Sequence, residues 1–559
     1  MSGVRGAEGP GALDRREFMK LGGLGAAALA AGASGCAPAG ENAATGDVDP
    51  WWTRASFELE EATIESLQAD MAGGTRTAVE ITELYLDRIA KLDRDGPRLR
   101  AVIETNADAV SIAEALDAER SEGRVRGPLH GIPILVKDNI DTADGMMTTA
   151  GSWALEGHHA ARDSWVVERL RAAGAIILGK ANLSEWANFR STNSISGWSG
   201  RGGQCGNPWA LDRNPCGSSS GSGAAASANF CAAAIGTETN GSVICPSSVN
   251  GVVGIKPTVG LVGRSGIIPI AHSQDTAGPM CRSVADAAAI LGALTGVDPR
   301  DGATGPSQGK SFSDYLQFLD ADGLRGARIG VERSYFGVDA RVDDLMENAI
   351  QAMAAAGATI VDPAEIPDRR AMGGPSYQVL LYEFKADLNA YLAAADAPTG
   401  VRSLEDLIAF NEAHADREMP FFGQEILVTA QEKGDLTSSE YLESLATMHR
   451  LSRGGGIDRV MEEHGLDAIV SPSTRPAWMT DLVNGGLSSA GSSGPAAIAG
   501  YPSVTVPNGY VQGLPVGILF FGRAWSEPTL LRLAYAYERI SGHRKAPRLP
   551  LSLGLRDAV

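Results

Sequence analysis

The sequence predicts an α/β protein built as one large domain around a mostly buried β-sheet. Short apolar runs that are typical of buried strands alternate along the chain with longer segments in which apolar residues recur at helical spacing. No internal repeat and no long biased linker interrupts this alternation. The 559 residues, 44% hydrophobic and 21% charged, are enough to bury a large core.

The elements follow from the pattern in chain order. Apolar residues at helical spacing predict two amphipathic helices between Thr63 and Leu92, separated at Gly73-Gly74. The run 132–136 predicts a buried strand, and 165–179 predicts a helix followed by another strand. Further strands are predicted at 251–255, 327–331, 468–470, 503–506 and 516–521, and helices at 284–294 and 345–356. The helix-rich, charged segment 363–448 is predicted to be a helical insertion beside the functional site.

The charge balance limits the partners. Against 67 Asp and Glu stand 48 Lys and Arg, so the formal net charge is −19. A protein this acidic is repelled by a nucleic-acid backbone and by an anionic membrane surface. A small-molecule or peptide substrate fits better, and no nucleic-acid partner is expected.

The first 36 residues resemble an export signal. Arg15-Arg16 precedes a short Ala/Gly/Leu stretch, the pattern of a twin-arginine signal peptide, and the stretch is too short and too rich in glycine to span a membrane well. A disordered tail is the alternative. The segment Ala33-Ser34-Gly35-Cys36 resembles a lipoprotein box, so Cys36 is a candidate for lipidation and membrane anchoring, with plain cleavage as the alternative. We therefore divide the chain into a signal peptide (1–36), a linker (37–50) and one large folded domain (51–559). The expected location is the periplasm or cell envelope, reached through the twin-arginine export machinery.

The other cysteines and the histidines give no sign of a metal site. The five remaining cysteines are odd in number and lack CxxC spacing, which favours small buried thiols over a disulfide framework or a zinc site. The eight histidines are scattered, and no HExxH pair occurs. No metal and no organic cofactor is expected.

Two segments rich in glycine and serine hold the candidate chemistry. The first, 214–223, leads into an Ala-rich segment, 224–234, that is predicted to be helical, and a second tight turn follows at 236–242. A flexible linker would not run into a helix in this way. The GxSxG match at 217–221 lacks the apolar strand that a nucleophile elbow requires, because 211–215 is polar. Small residues here favour the close approach of backbone N–H groups to a ligand.

These segments and several others, in this order, resemble the amidase signature family over about residues 60–545. The matching motifs are Gly131-Ile132-Pro133-Ile134-Leu135-Val136-Lys137-Asp138, the loop 216–222, Thr239-Asn240-Gly241-Ser242, the segment 250–258, Gly500-Tyr501-Pro502 and the segment 513–517. Within the family, the segments 237–246 and 272–280 are most similar to bacterial peptide amidases. The resemblance implies a central mixed sheet flanked by helices.

The resemblance also implies a Ser-Ser-Lys triad. Ser242 would be the nucleophile, Ser218 the relay serine after a cis peptide bond, and Lys137 the base, with backbone N–H groups of Thr239, Asn240, Gly241 and Ser242 as the oxyanion hole. A serine hydroxyl needs a base within hydrogen-bond reach, and a lysine acts as a base only when it is neutral. Burial at the end of a strand lowers a lysine pKa in the required direction. The sequence departs from the family pattern at Asn240, Cys216 and Ser220.

The expected function is amide hydrolysis. The resemblance implies cleavage of a carboxamide C–N bond to a carboxylate and ammonia or an amine through an acyl-enzyme, with peptide C-terminal amides as the leading substrate class. Non-peptide acyl or aryl amides remain an alternative, as does a degenerate amidase that serves as an envelope binding protein. The tRNA-dependent amidotransferase role is disfavoured, because export would separate the protein from tRNA and from its partner subunits.

Overall fold

A mixed β-sheet, eleven strands wide within the described residues, forms the centre of the molecule. The computed structural model describes residues 50, 52, 56–487 and 491–553, so the signal segment, Cys36 and nearly all of the linker lie outside the described residues. The strands are β1 (Val102–Thr105), β2 (Pro133–Lys137), β3 (Ile176–Ala181), β4 (Trp198–Ser199), β5 (Gly203–Gln204), β6 (Ala233–Glu238), β7 (Val253–Lys256), β8 (Thr276–Cys281), β9 (Arg328–Val331), β10 (Thr359–Val361), β11 (Ala468–Pro472), β12 (Ser503–Val511) and β13 (Leu514–Phe521).

The strand order is β1-β3-β2-β6-β8-β7-β12-β13-β11-β9-β10, and β4 and β5 form a separate pair. Strand β2 runs parallel to β3 and β6, and β9 runs parallel to β10 and β11. The other pairs of the large sheet are antiparallel. The prediction of one large α/β domain with a mixed, mostly buried sheet is confirmed.

Helices accompany the sheet along the whole chain. They are α1 (Ile64–Gly73), α2 (Ala78–Ile89), α3 (Ala109–Ser121), α4 (Trp165–Ala172), α5 (Ser220–Ser227), α6 (Ile244–Asn250), α7 (Val284–Leu294), α8 (Ala340–Ala355), α9 (Gly373–Ala395), α10 (Leu404–Ala413), α11 (Ala415–Glu418), α12 (Glu425–Gln431), α13 (Ser439–Ser452), α14 (Asp458–His464), α15 (Gly494–Ala499) and α16 (Glu527–Ser541). Capping boxes at Thr63 and Thr77 fix the starts of α1 and α2, and Gly74 ends α1 in a left-handed conformation. The predicted break at Gly73-Gly74 is confirmed.

The Ala-rich segment 224–234 differs from its prediction. Helix α5 ends at Ser227, and the chain continues as the fully buried strand β6 from Ala233. Alanine favours a helix in isolation, but β6 lies between β2 and β8 in the sheet, and this tertiary pairing decides its conformation. The helix-rich region from 363 to 448 is confirmed as helices α9 to α13.

Within the described residues, no helix has the length and apolar character that a membrane crossing requires.

Candidate active site

The site forms at one edge of the sheet, where β2 and β6 end. Because these two strands are parallel, their carboxyl ends lie at the same edge. Strand β2 ends at Lys137, and β6 ends at Glu238 and leads directly into the turn 239–242. Ser218 lies two residues before α5 in the neighbouring serine-rich loop. The fold therefore brings the three motifs that the sequence analysis selected to one place.

The Lys137 side chain is fully buried and points at a serine. Its Nζ donates to the Oγ of Ser218 at 2.7 Å and to the Oγ1 of Thr237 at 2.8 Å. Burial lowers the pKa of Lys137 to about 7, although the nearby carboxylates of Asp275 and Glu238 oppose this shift. At neutral pH a large fraction of this lysine is thus uncharged and able to accept a proton.

Buried lysines are not rare in this chain, but their contacts differ. Lys180 donates to the Ile140 carbonyl oxygen and to Thr148, and Lys256 donates to the carbonyl oxygens of Pro257 and Tyr501. Among these three buried lysines, Lys137 is the one that donates to a serine hydroxyl. Its contact with the serine-rich loop separates it from two structural lysines.

Ser218 and its neighbour Ser219 have different partners. The Gly217-Ser218 peptide bond is cis, and Ser218 is buried beside Lys137. The Oγ of Ser219 instead donates to the carbonyl oxygen of Thr237 at 3.0 Å and accepts from the N–H of the same residue at 3.1 Å. Ser219 therefore holds the loop on β6, and Ser218 is the serine available to Lys137.

Ser242 lies at the open end of this arrangement. It is 9% exposed, whereas Ser218 is 1% exposed. The N–H of Ser219 donates to the carbonyl oxygen of Ser242 at 3.1 Å, which ties the two loops together through their backbones. Within the described part of the chain no hydrogen bond joins the hydroxyls of Ser218 and Ser242.

The turn from Thr239 to Ser242 presents backbone donors. The N–H groups of these four residues have no hydrogen-bond acceptor among the described residues. The N–H groups of the next two residues, Val243 and Ile244, both donate to the Glu238 carboxylate. Gly241 adopts φ +82°, which an L side chain rarely adopts. A Cβ there would lie 2.9 Å from the Oγ of Ser493. The turn is thus a set of unpaired N–H groups that only glycine allows at this point.

Three further residues support the site and were not selected from the sequence. The Oγ1 of Thr237 accepts from Lys137 and, at 3.1 Å, from the Nδ2 of Asn139. The carboxylate of Asp275 accepts from the Oγ1 of Thr239 at 2.5 Å, and burial raises the pKa of Asp275 to about 6. Thr237 and Asp275 fall inside the segments quoted for the family resemblance, so only their roles were missed. Asn139 lies two residues after Lys137 and gave no signal of its own.

The prediction that the cysteines are all free thiols is wrong for two of them. Cys216 and Cys245 form a disulfide with a Cα–Cα distance of 6.0 Å, while Cys205, Cys231 and Cys281 are free and buried. The disulfide joins the residue before Gly217-Ser218 to α6, just after Ser242. Their separation of 29 residues has no motif signature, and only the fold brings the two thiols together.

The three residues that depart from the family pattern, Cys216, Ser220 and Asn240, each contact another residue near the site. Cys216 forms the disulfide, and its carbonyl oxygen accepts from the Oγ of Ser220 at 2.6 Å. The Oδ1 of Asn240 accepts from the Oγ of Ser493 at 3.0 Å, which connects the turn to the start of α15. These side chains stabilise the loops on which the two serines lie.

A cleft of about 750 Å³ opens onto Ser242. Cys216, Gly217 and the turn 239–242 line one part of it. Other lining residues come from the helical insertion and the surrounding loops, among them Phe189, Tyr335, Arg369, Leu380 and Trp478. The prediction that the segment 363–448 lies beside the site is confirmed by Arg369 and Leu380. The volume suits a ligand larger than a single small amide.

Among the described residues, one group of potential metal ligands occurs, and it lies near the site. His272, Glu383 and Asp387 place their ligand atoms within 4.8 Å of one another. His272 Nδ1 lies 2.8 Å from the Asp387 carboxylate and Nε2 lies 3.3 Å from that of Glu383, and the bond to Asp387 raises the pKa of His272. His272 thus pairs with both carboxylates, and this ionic network accounts for the cluster.

The fold and the site define a class of protein in which a mixed sheet flanked by helices holds a buried lysine of lowered pKa, two serines and a row of backbone N–H donors at one sheet edge. The family model described as Amidase matches residues 80–531. The chain therefore belongs to the amidase family, as the motifs predicted, and it is an amidohydrolase.

The alignments with similar proteins cover most of the chain. The crystal structure of a native peptide amidase from Stenotrophomonas maltophilia is 51% identical, with a TM-score of 0.83, and the match covers 88% of this chain and 99% of that one. A protein named probable amidase from Arabidopsis thaliana is 43% identical over 502 residues, 88% of this chain and 92% of its own. A protein named putative amidase from Arthroderma benhamiae is 37% identical over 497 residues, 85% of this chain and 81% of its own.

Proposed function

We propose that this amidohydrolase is a peptide amidase that hydrolyses the C-terminal carboxamide of peptides to a carboxylate and ammonia. The observation that carries the chemistry is the 2.7 Å contact between the Nζ of Lys137, whose pKa is lowered to about 7, and the Oγ of Ser218. Ser242, next to this pair and open to the cleft, is the nucleophile of the proposed reaction.

Acylation starts with neutral Lys137. Lys137 takes the proton of Ser218 as Ser218 takes the proton of Ser242, and the Ser242 Oγ attacks the amide carbonyl carbon. The two serine hydroxyls come within hydrogen-bond distance when substrate binds, as catalytic hydrogen bonds tighten in the substrate complex. The carbonyl oxygen becomes an oxyanion, and the unpaired N–H groups of the turn 239–242 stabilise it.

The leaving group and the deacylation use the same relay in reverse. The proton held by Lys137 passes through Ser218 to the amide nitrogen as the C–N bond breaks, so ammonia leaves as a neutral molecule. A water molecule then attacks the ester carbonyl of acylated Ser242, and its proton moves to Lys137. Collapse of the second intermediate returns that proton to Ser242 and releases the carboxylic acid, which gives up its own proton to the solvent and becomes the carboxylate. Each half of the cycle leaves Lys137 neutral again.

Two observations support a peptide as the acyl group. The chain is 51% identical to a protein described as a peptide amidase, over nearly the whole of that protein. The cleft of about 750 Å³ also has room for more than one residue beyond the amide. The amidotransferase role is disfavoured by the export signal predicted at residues 1–36.

The substrate class is tested by measuring ammonia release from matched amides. The panel contains an N-acetyl tetrapeptide amide, the corresponding free amino-acid amide and an aryl amide such as benzamide. We expect kcat/KM to be highest for the peptide amide by at least about tenfold, because only the peptide occupies the rest of the cleft. Hydrolysis of the aryl amide alone would contradict the peptide amidase assignment.

The nucleophile is tested by labelling with a fluorophosphonate followed by peptide mapping. We expect the label on Ser242, and we expect it to be lost in Ser242→Ala and strongly slowed in Lys137→Ala. Ser219→Ala is the matched control, because Ser219 bonds to the backbone of β6 rather than to Lys137. Label on another serine, or equal labelling of wild type and Lys137→Ala, would contradict the mechanism. A folded protein with no label and no turnover would instead support a degenerate binding protein.

The proposed location is the cell envelope, with Cys36 as the lipid-anchored first residue after export. The sequence patterns at 15–16 and 33–36 support this, and the Cys216–Cys245 disulfide suits an oxidising compartment. Fractionation of a bacterial host that expresses the full chain tests it. We expect wild type in the membrane fraction, Cys36→Ala exported but released, and the Arg15→Lys/Arg16→Lys variant retained in the cytoplasm. Soluble export of the wild type would favour plain cleavage.

A further inference from the structure

The cleft that contains Ser242 has an uneven charge distribution. Among the described residues that line it, Arg369 is the one with a charged side chain, and the rest are apolar, hydroxyl, amide, thiol-derived or glycine residues. The protein as a whole has a net charge of −19, so acidic residues outnumber basic ones. The lining of the cleft shows the opposite balance, with one arginine and no acidic residue among the described positions. A single positive charge in a neutral cleft favours ligands with a negative group nearby.

Arg369 is fixed in position by its neighbours. It belongs to the short helical turn Arg369–Ala371, just before α9. Its Nη2 donates to the carbonyl oxygen of Ser334 at 2.7 Å, and its Nε donates to the Oγ of the same serine. The guanidinium carbon lies 4.3 Å from the centroid of the Tyr335 ring, which also lines the cleft. The guanidinium is therefore oriented before any ligand arrives, which reduces the entropy lost on binding.

Arg369 differs from several other arginines of the described chain in its lack of a direct acidic partner. Within the described part of the chain no carboxylate oxygen lies within 4.0 Å of its guanidinium nitrogens, in contrast to Arg333, which pairs with Glu347 and Asp362. The buried carboxylate of Glu332 accepts from the Oγ of Ser334 at 2.6 Å and reaches Arg369 only through that hydroxyl.

The oxygens of the Glu332 carboxylate also accept hydrogen bonds from other groups. Besides the Ser334 hydroxyl it accepts the N–H of Ser334 at 2.9 Å and the N–H of Ile366 at 2.6 Å. A guanidinium offers five N–H donors, and the two bonds to Ser334 leave the others for a ligand. A planar guanidinium with free donors matches the geometry of a carboxylate.

We propose that Arg369 is a specificity-determining residue that selects peptide amides with a carboxylate side chain on the N-terminal side of the amide-bearing residue. This inference rests on the proposed peptide amidase function. The reacting carbonyl lies at Ser242, so the preceding residues of the peptide occupy the rest of the cleft, where Arg369 and Tyr335 lie. A glutamate or aspartate that reaches the guanidinium forms a charge-assisted pair there.

The test is a charge scan along N-acetyl tetrapeptide amides that end in the same residue. A single Glu is placed in turn at each of the three positions before that residue, and each peptide is compared with its Gln and Lys counterparts. For the wild type we expect kcat/KM to be about five- to tenfold higher for Glu than for Gln at one of these positions, and lowest for Lys. The Glu/Gln ratio needs no variant, so it remains measurable if a substitution prevents folding.

Variants assign the preference to one side chain. Arg369→Gln is expected to bring the Glu/Gln ratio to about one, and Arg369→Lys is expected to retain part of the preference. Arg370→Gln is the matched control, because Arg370 is adjacent, exposed and absent from the cleft lining. We expect it to leave the ratio unchanged.

The outcomes separate this inference from the proposed function. Hydrolysis of all the peptides with a Glu/Gln ratio near one in the wild type would overturn the role of Arg369 and leave the peptide amidase assignment intact. A preference for Glu that survives in Arg369→Gln, or a loss of thermal stability in that variant with no change in the ratio, would show that Arg369 is structural. If no peptide amide is hydrolysed while another amide is, both the assignment and this inference are wrong.

Discussion

The Nζ of Lys137 and the Oγ of Ser218 lie 2.7 Å apart in a fully buried environment, at the point where strand β2 ends and the serine-rich loop meets it. This contact joins two parts of the chain that are distant in sequence, and the burial of Lys137 there changes its protonation. An exposed lysine is protonated at neutral pH and cannot act as a base. Burial of Lys137 lowers its pKa to about 7, so the side chain can accept a proton under ordinary conditions.

The first prediction concerns the pH dependence. Because the proposed reaction requires neutral Lys137, kcat/KM is expected to rise about tenfold per pH unit at low pH and to level off above an apparent pKa of about 7. The measurement is kcat/KM for one peptide amide between pH 5 and pH 9, with thermal melts at the same pH values to exclude unfolding. A profile that stays flat down to pH 5 would mean that no group with this pKa controls the reaction.

A second prediction concerns Asp275. Its carboxylate raises the pKa of Lys137, so Asp275→Asn is expected to lower the apparent pKa of the kcat/KM profile relative to wild type. Activity at pH 6 would then be a larger fraction of the plateau. Thr239→Val is the intermediate case, because it removes a hydrogen bond that lowers the pKa of Asp275 and so weakens the negative charge without deleting the carboxyl group. We expect its apparent pKa to lie between those of wild type and Asp275→Asn. An apparent pKa that rises in Asp275→Asn would contradict the electrostatic argument.

Two buried lysines allow a matched comparison. Lys137→Met removes the proposed base and is expected to lower kcat/KM by about 10²- to 10⁴-fold. Lys256→Met removes a lysine that is equally buried, whose pKa is lowered to about 8, but which donates to backbone carbonyls instead of a serine. We expect its kcat/KM to stay within about tenfold of wild type at a temperature where it is folded. Equal losses in both variants would show that burial of a lysine, and not its contact with Ser218, governs activity.

The disulfide is predicted to stabilise the protein and to hold the site together. Closing a loop of 29 residues contributes about 3 to 4 kcal/mol by restricting the unfolded chain. The Cys216→Ser/Cys245→Ser variant is therefore expected to melt at a lower temperature and to lose activity, since the bond joins the loops of Ser218 and Ser242. Dithiothreitol is expected to lower the wild-type melting temperature but not that of the variant. Cys231→Ala, which alters a buried free thiol, is the control for substitution alone.

Much of this architecture could be predicted from the sequence. Periodicity indicated α1, α2 and α7 because their apolar residues recur at helical spacing, and each of them starts at a Ser or Thr whose side chain caps the first turn. The serine and lysine motifs were found because each has a local signature. Strand β6 was missed because alanine favours helices and only its pairing with β2 and β8 makes it a strand.

The features that escaped prediction depend on contacts between distant residues. The Cys216–Cys245 bond, the acceptance of two hydrogen bonds by Thr237, and the contact of Asp275 with Thr239 all join segments that the fold brings together. None of these pairs has a spacing that a sequence pattern could reveal. Arg369 is a similar case, because an arginine near the start of a helix gives no sign that it lines a cleft.

The last prediction concerns Gly241 in the turn of unpaired N–H groups. Gly241→Ala is expected to lower kcat by about 10²-fold or more. A Cβ there would meet the Oγ of Ser493, and an alanine forced to φ +82° would shift the backbone donors of the proposed oxyanion site. Gly513→Ala is the matched control: Gly513 has φ +79°, but nothing lies within 4 Å of its added Cβ, and it lies in the β12–β13 turn. Both substitutions impose a similar backbone cost of about 1 to 2 kcal/mol, which thermal melts would record. Only Gly241→Ala is expected to lower kcat. If Gly513→Ala lowered kcat equally, the effect would reflect general strain, and the turn 239–242 would lose its assignment as the oxyanion site.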